Sequence, residues 1–196
     1  MIEIVLATKN ANKTKEIAEI VHPIVVKSLD EAKVEIDLSA VEDGDSYEEN
    51  AVKKARKVRE HVTGIVVADD SGLEIKALGG APGIHSARFG GEGLTDKDRC
   101  ALVLKKLEGI PEGEREARFV CVAVVLFPDE RLETFYGTCS GTIATSPAGT
   151  SGFGYDPVFY LPGLGKTMAE LATHEKHRIS HRGIAFRKLR DFLLRL

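Results

Sequence analysis

Short apolar runs alternate along the chain with longer polar stretches whose apolar residues recur every three or four positions, and this sets the expected order of elements. Ile2 to Ala7 reads as a strand, Lys13 to Val21 as a helix with Ile17, Ala18 and Val21 on one face, and Ile24 to Val26 as a second strand after Pro23. That is a β-α-β opening. Ser46 followed three positions later by Glu49 is a capping-box signature and predicts a helix through Asn50, Lys54 and Lys57 to about Val62. The run Ile65-Val66-Val67-Ala68 reads as a buried strand that delivers Asp69-Asp70-Ser71-Gly72 at its end, where the glycine would let the backbone turn. Thr95 with Asp98 predicts a helix start carrying Leu102, Val103 and Leu107 inward. Phe119 to Phe127 and Leu132 to Thr142 read as a hairpin around Pro128-Asp129-Glu130. Ala185, Leu189, Phe192 and Leu196 recur at helical spacing, so Arg182 to Leu196 is expected to be an amphipathic helix. The expected class is α/β, with a mixed, twisted central sheet flanked by helices.

Composition narrows the setting. A chain of 196 residues, 43% hydrophobic and 29% charged, is long enough for one core-bearing domain, here expected to span residues 1–196. A net charge of -3 offers no general attraction for nucleic acid or an anionic membrane, so phosphate recognition must come from local basic groups and the ligand is expected to be small. Met1 leads directly into a strand without a basic and then apolar leader, and no apolar run approaches the roughly 18 residues of a membrane span, so the expected location is the cytoplasm. Cys100, Cys121 and Cys139 are odd in number and widely separated, which favours buried reduced thiols over disulfides or a thiolate zinc site.

Four segments carry candidate chemistry. Asp69 and Asp70 fit either a divalent cation with oxygen ligands or a solvated turn. Thr8-Lys9-Asn10-Ala11-Asn12-Lys13, at a strand-to-helix junction, suits a phosphate group through amide donors, a lysine and the helix dipole, although the segment by itself reads first as a polar turn with an N-cap. It lacks the glycines of a Walker loop. On the helix after Ser46, Asn50 and Lys54 share a face, so Lys54 could extend to the same phosphates while Glu42 or Glu49 reaches a metal; Glu49 has an alternative role as capping partner. In Thr150 to Pro157, two glycines flank an aromatic, so Phe153 or Tyr155 could stack on a base and Asp156 could hydrogen-bond its edge or sugar, unless the loop is a tight packed turn. His174, His177 and His181 have zinc-like spacing if one helix carries all three, whereas Ser180 as an N-cap would break that register and present Ser180-His181-Arg182 at a helix start.

Taken together and in order, Thr8-x-Asn10-x-x-Lys13, Glu49-Asn50-Ala51 with Lys54, Ala68-Asp69-Asp70-Ser71-Gly72-Leu73, Gly80-Ala81-Pro82-Gly83 with Ser86-Ala87-Arg88, Gly152-Phe153-Gly154-Tyr155-Asp156-Pro157 and Ser180-His181-Arg182 form a recognisable set. Over nearly its full length the chain resembles the inosine triphosphate pyrophosphatases, also called non-canonical purine nucleoside triphosphate pyrophosphatases. It departs from them at Lys9, Ser151 and His85, where glycine, glycine and tyrosine are common. The resemblance implies Mg²⁺-dependent hydrolysis of dITP, ITP, XTP and dXTP to the monophosphate and pyrophosphate. The implied protein is a homodimer of an elongated, two-lobed single domain, with the active-site cleft between the lobes. By the same resemblance Thr8, Lys9, Asn10, Ala11, Asn12, Lys13 and Lys54 are triphosphate contacts, Asp70 is general base and metal ligand, and Glu42 is a second ligand. Ser71, Phe153, Gly154, Tyr155, Asp156, Lys176, His181 and Arg182 are implied nucleotide contacts, and Arg88 approaches the base. Two rival expectations remain, a nucleotide-binding regulator without turnover and a histidine-ligated zinc hydrolase.

Overall fold

Strand β1 (Glu3–Leu6) leads through an exposed loop into helix α1 (Ala11–Val21) and strand β2 (Val25–Lys27), so the opening is β-α-β. The computed structural model describes residues 2–196; Met1 lies outside them. There follow α2 (Tyr47–Arg59), β3 (Ile65–Ile75), α3 (Asp96–Lys106), β4 (Glu116–Leu126), β5 (Leu132–Ile143), β6 (Phe159–Leu161), β7 (Lys166–Thr167), α4 (Thr173–Ile179) and α5 (His181–Leu193). The strands form one sheet in the order β2-β1-β3-β4-β5-β6-β7. Parallel pairing of β1 with β2 and β3, and antiparallel pairing of β5, β6 and β7, make it mixed.

The chain divides into two compact units, Met1–Ser71, Cys121–Gly137 and His181–Leu196 in one, and Gly72–Val120 and Thr138–Ser180 in the other. In the first unit the period-two alternation of strands sorts side chains to two apolar layers. Ile4, Leu6, Val67, Ala123 and Val125 meet Ile17 and Ile20 of α1 and Phe186 and Leu189 of α5. Val5, Ala7, Val66, Ala68, Val124 and Leu126 meet Ala51, Ala55 and Val58 of α2. The second unit has its own core, built on Leu73, Ile75, Val103, Leu107, Phe119 and Phe159.

Local signals set most element starts. Asn10 caps α1, its Oδ1 accepting the amides of Asn12 and Lys13 at 3.0 and 3.2 Å, so the helix begins two residues before the expected Lys13. Thr95 and Asp98 form a reciprocal capping box at α3. At α2, Ser46 Oγ accepts the amide of Glu49, but the Glu49 carboxylate takes the amide of Asp45 instead, so the expected reciprocal box is only half formed. The helix stops at Arg59 rather than about Val62, and the Arg59 guanidinium reaches forward to the carbonyls of Val62, Gly64 and Pro128 in the segments beyond it. The hairpin turn closes where Asp129 Oδ1 accepts the amide of Arg131 and Glu130 takes a positive φ of 65°.

Two expectations are corrected. Strand β3 does not end at the acidic pair: it runs straight through Asp69-Asp70-Ser71-Gly72 to Ile75, because Leu73 and Ile75 gain full burial in the second core by keeping the extended backbone. The chain turns later, at Gly79 and Gly80, whose φ values of 63° and 91° suit glycine. The last helix starts at His181 and ends at Leu193, so Leu196, expected on its buried stripe, is exposed beyond the final turn. Cys100, Cys121 and Cys139 are buried free thiols, and no helix among the described residues is long and apolar enough to cross a membrane.

Candidate active site

Because Asp69 and Asp70 lie inside a strand, their side chains leave it on opposite faces. The paired carboxylates therefore do not share one counter-ion, as adjacency alone suggests; each has its own. Asp69, beside the α1 and α5 layer, is fully buried. Its Oδ2 accepts from Lys13 Nζ at 2.9 Å and Ser71 Oγ at 2.7 Å, lies 3.6 Å from Arg182 Nη2, and has the Cys121 thiol at 4.0 Å. Arg182 Nη1 donates to Glu16 Oε2 at 2.9 Å and Nη2 to Ser71 Oγ at 3.3 Å. Burial pushes the Asp69 carboxyl up, but Lys13, Arg182 and Lys54 outweigh it and hold the group far below the usual carboxylate range. Burial likewise works against the Arg182 charge, and Asp69 and Glu16 more than restore it.

Asp70, on the α2 side, is held more loosely. Lys54 Nζ reaches its Oδ1 and Asn50 Nδ2 its Oδ2, both at 3.3 Å. The same ammonium donates to Glu42 Oε1 at 2.9 Å. Burial raises the Asp70 carboxyl, Lys54 and Lys13 offset only part of this, and Asp69 adds to it, so the group sits above its ordinary value. Lys54 is only 4% exposed; burial works against its charge, but Asp70, Asp69 and Glu42 keep it firmly protonated. Asn50 is oriented from behind by the amide of Gly44, which donates to its Oδ1 at 2.8 Å. Glu49 and Lys53 belong to the surface of α2, where Lys53 Nζ meets Asp43 and Glu49 at 2.8 Å each.

Hard oxygen donors from distant parts of the chain, Glu42 and Asp70, thus aim at one point. Among the described residues no group of three or more histidine, cysteine, aspartate or glutamate side chains stands ready for a metal. This donor set fits a cation of the magnesium type, which uses one or two carboxylates and completes its shell with water and substrate phosphate. The loop from Thr8 to Lys13 presents exposed Lys9, Asn10, Ala11 and Asn12 at the start of α1, and Thr8 Oγ1 accepts the amide of Asn10 at 3.2 Å.

In the second unit Asp156 is a brace. Its buried carboxylate accepts from the Phe153 amide at 2.9 Å and Lys176 Nζ at 2.8 Å. Lys176 also lies 4.8 Å from the centroid of the Phe153 ring. Gly152 takes φ 76°, and a Cβ there would fall 2.1 Å from Asp156 Oδ2, so the loop requires glycine. The Gly154 amide donates to Asp96 Oδ2 at 2.7 Å. Tyr155 belongs to the core, with its hydroxyl donating to the Ser86 carbonyl at 2.8 Å, so of the two aromatics weighed for stacking only Phe153 keeps an accessible ring. Arg88 is exposed, with Nε and Nη2 facing His85 Nδ1 at 3.3 and 3.1 Å.

His174 and His177 lie on α4 and His181 opens α5, with Ser180 extended between them at ψ 154°, so the continuous helix needed for a three-histidine zinc site is absent. The first turn of α5 packs on β5 because position 137 is glycine; a Cβ would fall 2.0 Å from the His181 carbonyl oxygen. Sequence reading did not single out Glu16, although a carboxylate one turn before Ile20 on the buried face of α1 signals a buried partner.

Residues 4–192 match the model of the Ham1 family. The dITP/XTP pyrophosphatase of Geobacillus kaustophilus is 48% identical over 96% of this chain and 93% of its own. That of Bacillus subtilis is 45% identical over 98% of each. Among solved structures, the Ham1 protein of Staphylococcus aureus superposes with a TM-score of 0.86 at 42% identity, covering 98% of both chains. The HAM1 protein of Coxiella burnetii gives 0.88 at 39% identity and 100% coverage of both. With its family match, its fold and near-full-length relatives in agreement, the chain belongs to the Ham1 family.

Proposed function

We propose that this protein hydrolyses the α-β phosphoanhydride of non-canonical purine nucleoside triphosphates, dITP, ITP, XTP and dXTP, releasing the monophosphate and pyrophosphate and so clearing the nucleotide pool. The observation that carries the reading is near-full-length similarity, at 43–48% identity, to proteins named dITP/XTP pyrophosphatase. In this reading residues 1–196 act as one catalytic domain, in the cytoplasm and as a homodimer.

Asp70 and Glu42 would hold Mg²⁺, which when bound supplies Lewis-acid stabilisation of charge on phosphate oxygens. Asp70, raised by burial, is suited to orient the attacking water at the α-phosphorus and receive its proton. Lys13 and Lys54 offset the charge that moves onto pyrophosphate as it leaves, and Thr8 to Asn12 contribute donors at the start of α1. Ser71, His181 and Arg182, together with Arg88, Phe153, Gly154, Tyr155, Asp156 and Lys176, are assigned to the nucleotide by the family resemblance, Phe153 as the stacking ring and Asp156 through the loop it braces. A donor aimed at the 6-oxo group of hypoxanthine or xanthine would meet another donor in the adenine 6-amino group, and stranding a buried donor costs about 1–3 kcal/mol.

The deciding experiment is a panel of nucleoside triphosphates assayed with Mg²⁺ and with separate detection of pyrophosphate and orthophosphate. Pyrophosphate release from dITP and XTP well above that from dATP is expected; orthophosphate as the sole product, or binding without turnover, rejects the reading. Sedimentation of the purified protein checks the dimer.

A further inference from the structure

We propose that Lys54 is a resident counter-ion, holding the space between Glu42 and Asp70 until a nucleotide's phosphates draw it away, so that the divalent cation enters with the triphosphate and not before it. The inference rests on the proposed function and goes beyond it, since it concerns the order of loading. The Lys54 ammonium sits 2.9 Å from Glu42 Oε1 and 3.3 Å from Asp70 Oδ1, the two oxygens that the metal reading needs. A cation bridging those oxygens requires the same space, and an ammonium left beside it would repel it.

Lys54 has little freedom to yield that space on its own. Its side chain is 5% exposed, so withdrawing from both carboxylates without a new anion would strand a buried charge. Neighbouring lysines are committed elsewhere: Lys53 to Asp43 and Glu49 on the surface of α2, and Lys13 to Asp69 on the opposite face of β3. Phosphate oxygens supply the replacement. Lys54 then passes from carboxylates to phosphate, Glu42 and Asp70 are released together, and Asn50, held by Gly44, keeps Asp70 oriented during the exchange. Asp70 suits this role because its contacts are long, whereas Asp69 is gripped at 2.7 and 2.9 Å and stays in place.

The test is metal binding by the nucleotide-free protein, with Mn²⁺ as probe and free Mn²⁺ read by electron paramagnetic resonance. Lys54→Met keeps most of the stem and removes the charge, and is expected to bind Mn²⁺ at least about tenfold more tightly than wild type. Adding Asp70→Asn to Lys54→Met is expected to abolish the gain. Wild type binding Mn²⁺ as tightly as Lys54→Met, or a gain that survives Asp70→Asn, overturns the proposal. If Lys54→Met does not fold, Lys54→Gln serves the same comparison. Wild type alone gives a second reading. Mn²⁺ by itself is expected to leave its melting temperature unchanged, while Mn²⁺ with α,β-imido-dITP raises it beyond the analogue alone; a rise with Mn²⁺ alone overturns the exchange. Pyrophosphate release from dITP is scored separately: its absence removes the functional reading, whereas hydrolysis by a protein that takes Mn²⁺ readily without nucleotide removes only the exchange.

Discussion

Two adjacent aspartates on one strand, Asp69 and Asp70, are both buried and both paired with a lysine, yet they are built differently. Asp69 receives two hydrogen bonds at 2.7 and 2.9 Å and sits near an arginine that Glu16 also holds. Asp70 receives two at 3.3 Å, one from a lysine it shares with Glu42. The first arrangement lowers the carboxyl and fixes Lys13, Ser71 and Arg182 in place; the second leaves a raised carboxyl whose partners can be exchanged. A buried charge with short contacts from several elements is scaffold, and one with long contacts and a shared partner is available for chemistry.

The sharpest way to break this contrast is to neutralise each carboxylate in turn. Asp70→Asn is expected to lower the rate of pyrophosphate release from dITP by about 10³-fold, within the range for loss of a general base, without lowering the melting temperature, because it removes a charge that burial disfavours. A variant that keeps near-wild-type turnover removes Asp70 from the reaction. Asp69→Asn is expected to act chiefly on stability and cost about 3 kcal/mol in urea unfolding, as Lys13 and Arg182 lose a buried partner. Stability within about 0.5 kcal/mol of wild type would contradict the scaffold role.

Gly152→Ala extends the comparison to the second unit, where Asp156 is also a braced carboxylate. A Cβ at 2.1 Å from Asp156 Oδ2, on a residue with φ 76°, should cost about 1–3 kcal/mol and weaken nucleotide binding, read by unfolding and by KM for dITP.

Titration separates the two aspartates by sign. The native value of Asp69 lies below its unfolded value near 3.9, so its stabilisation is complete above about pH 4 and is withdrawn as pH falls toward the lowered native value. The native value of Asp70 lies above its unfolded value, so its contribution is present at low pH and lost as pH rises through that native value. Stability measured against pH should therefore lose part of its acid slope in Asp69→Asn and rise on the neutral side in Asp70→Asn. The smallest effect concerns the thiol beside Asp69: burial first, and then Asp69, push Cys121 up to about 12, so alkylation of the native protein at pH 8 should be slow and should accelerate on unfolding. Rapid modification in the native state would show that this face opens.

Features governed by neighbours in the chain were legible from the residues. The β-α-β opening, the Ser46 and Thr95 helix starts, and the hairpin at Pro128-Asp129-Glu130 all depend on local caps, turns and periodicity. The motif order was also sufficient to identify the family and to nominate Asp70, Glu42 and Lys54. Sequence did not disclose that β3 runs on to Ile75, because what prolongs it is burial of Leu73 and Ile75 in a second core assembled from remote segments. For the same reason the choice between Phe153 and Tyr155 as a stacking ring stays open in the sequence, until Tyr155 is found buried with its hydroxyl on the Ser86 carbonyl.

Chemistry-bearing residue types were therefore determined by the sequence, but their partners were decided only in three dimensions. Arg182 finds Glu16 across 166 positions and Lys13 finds Asp69 across 56, pairings that no local pattern encodes. The physical reason is the strand's two-residue period: once β3 continues through the acidic pair, Asp69 and Asp70 must face opposite layers, and the helices packed on each layer choose which cations they meet.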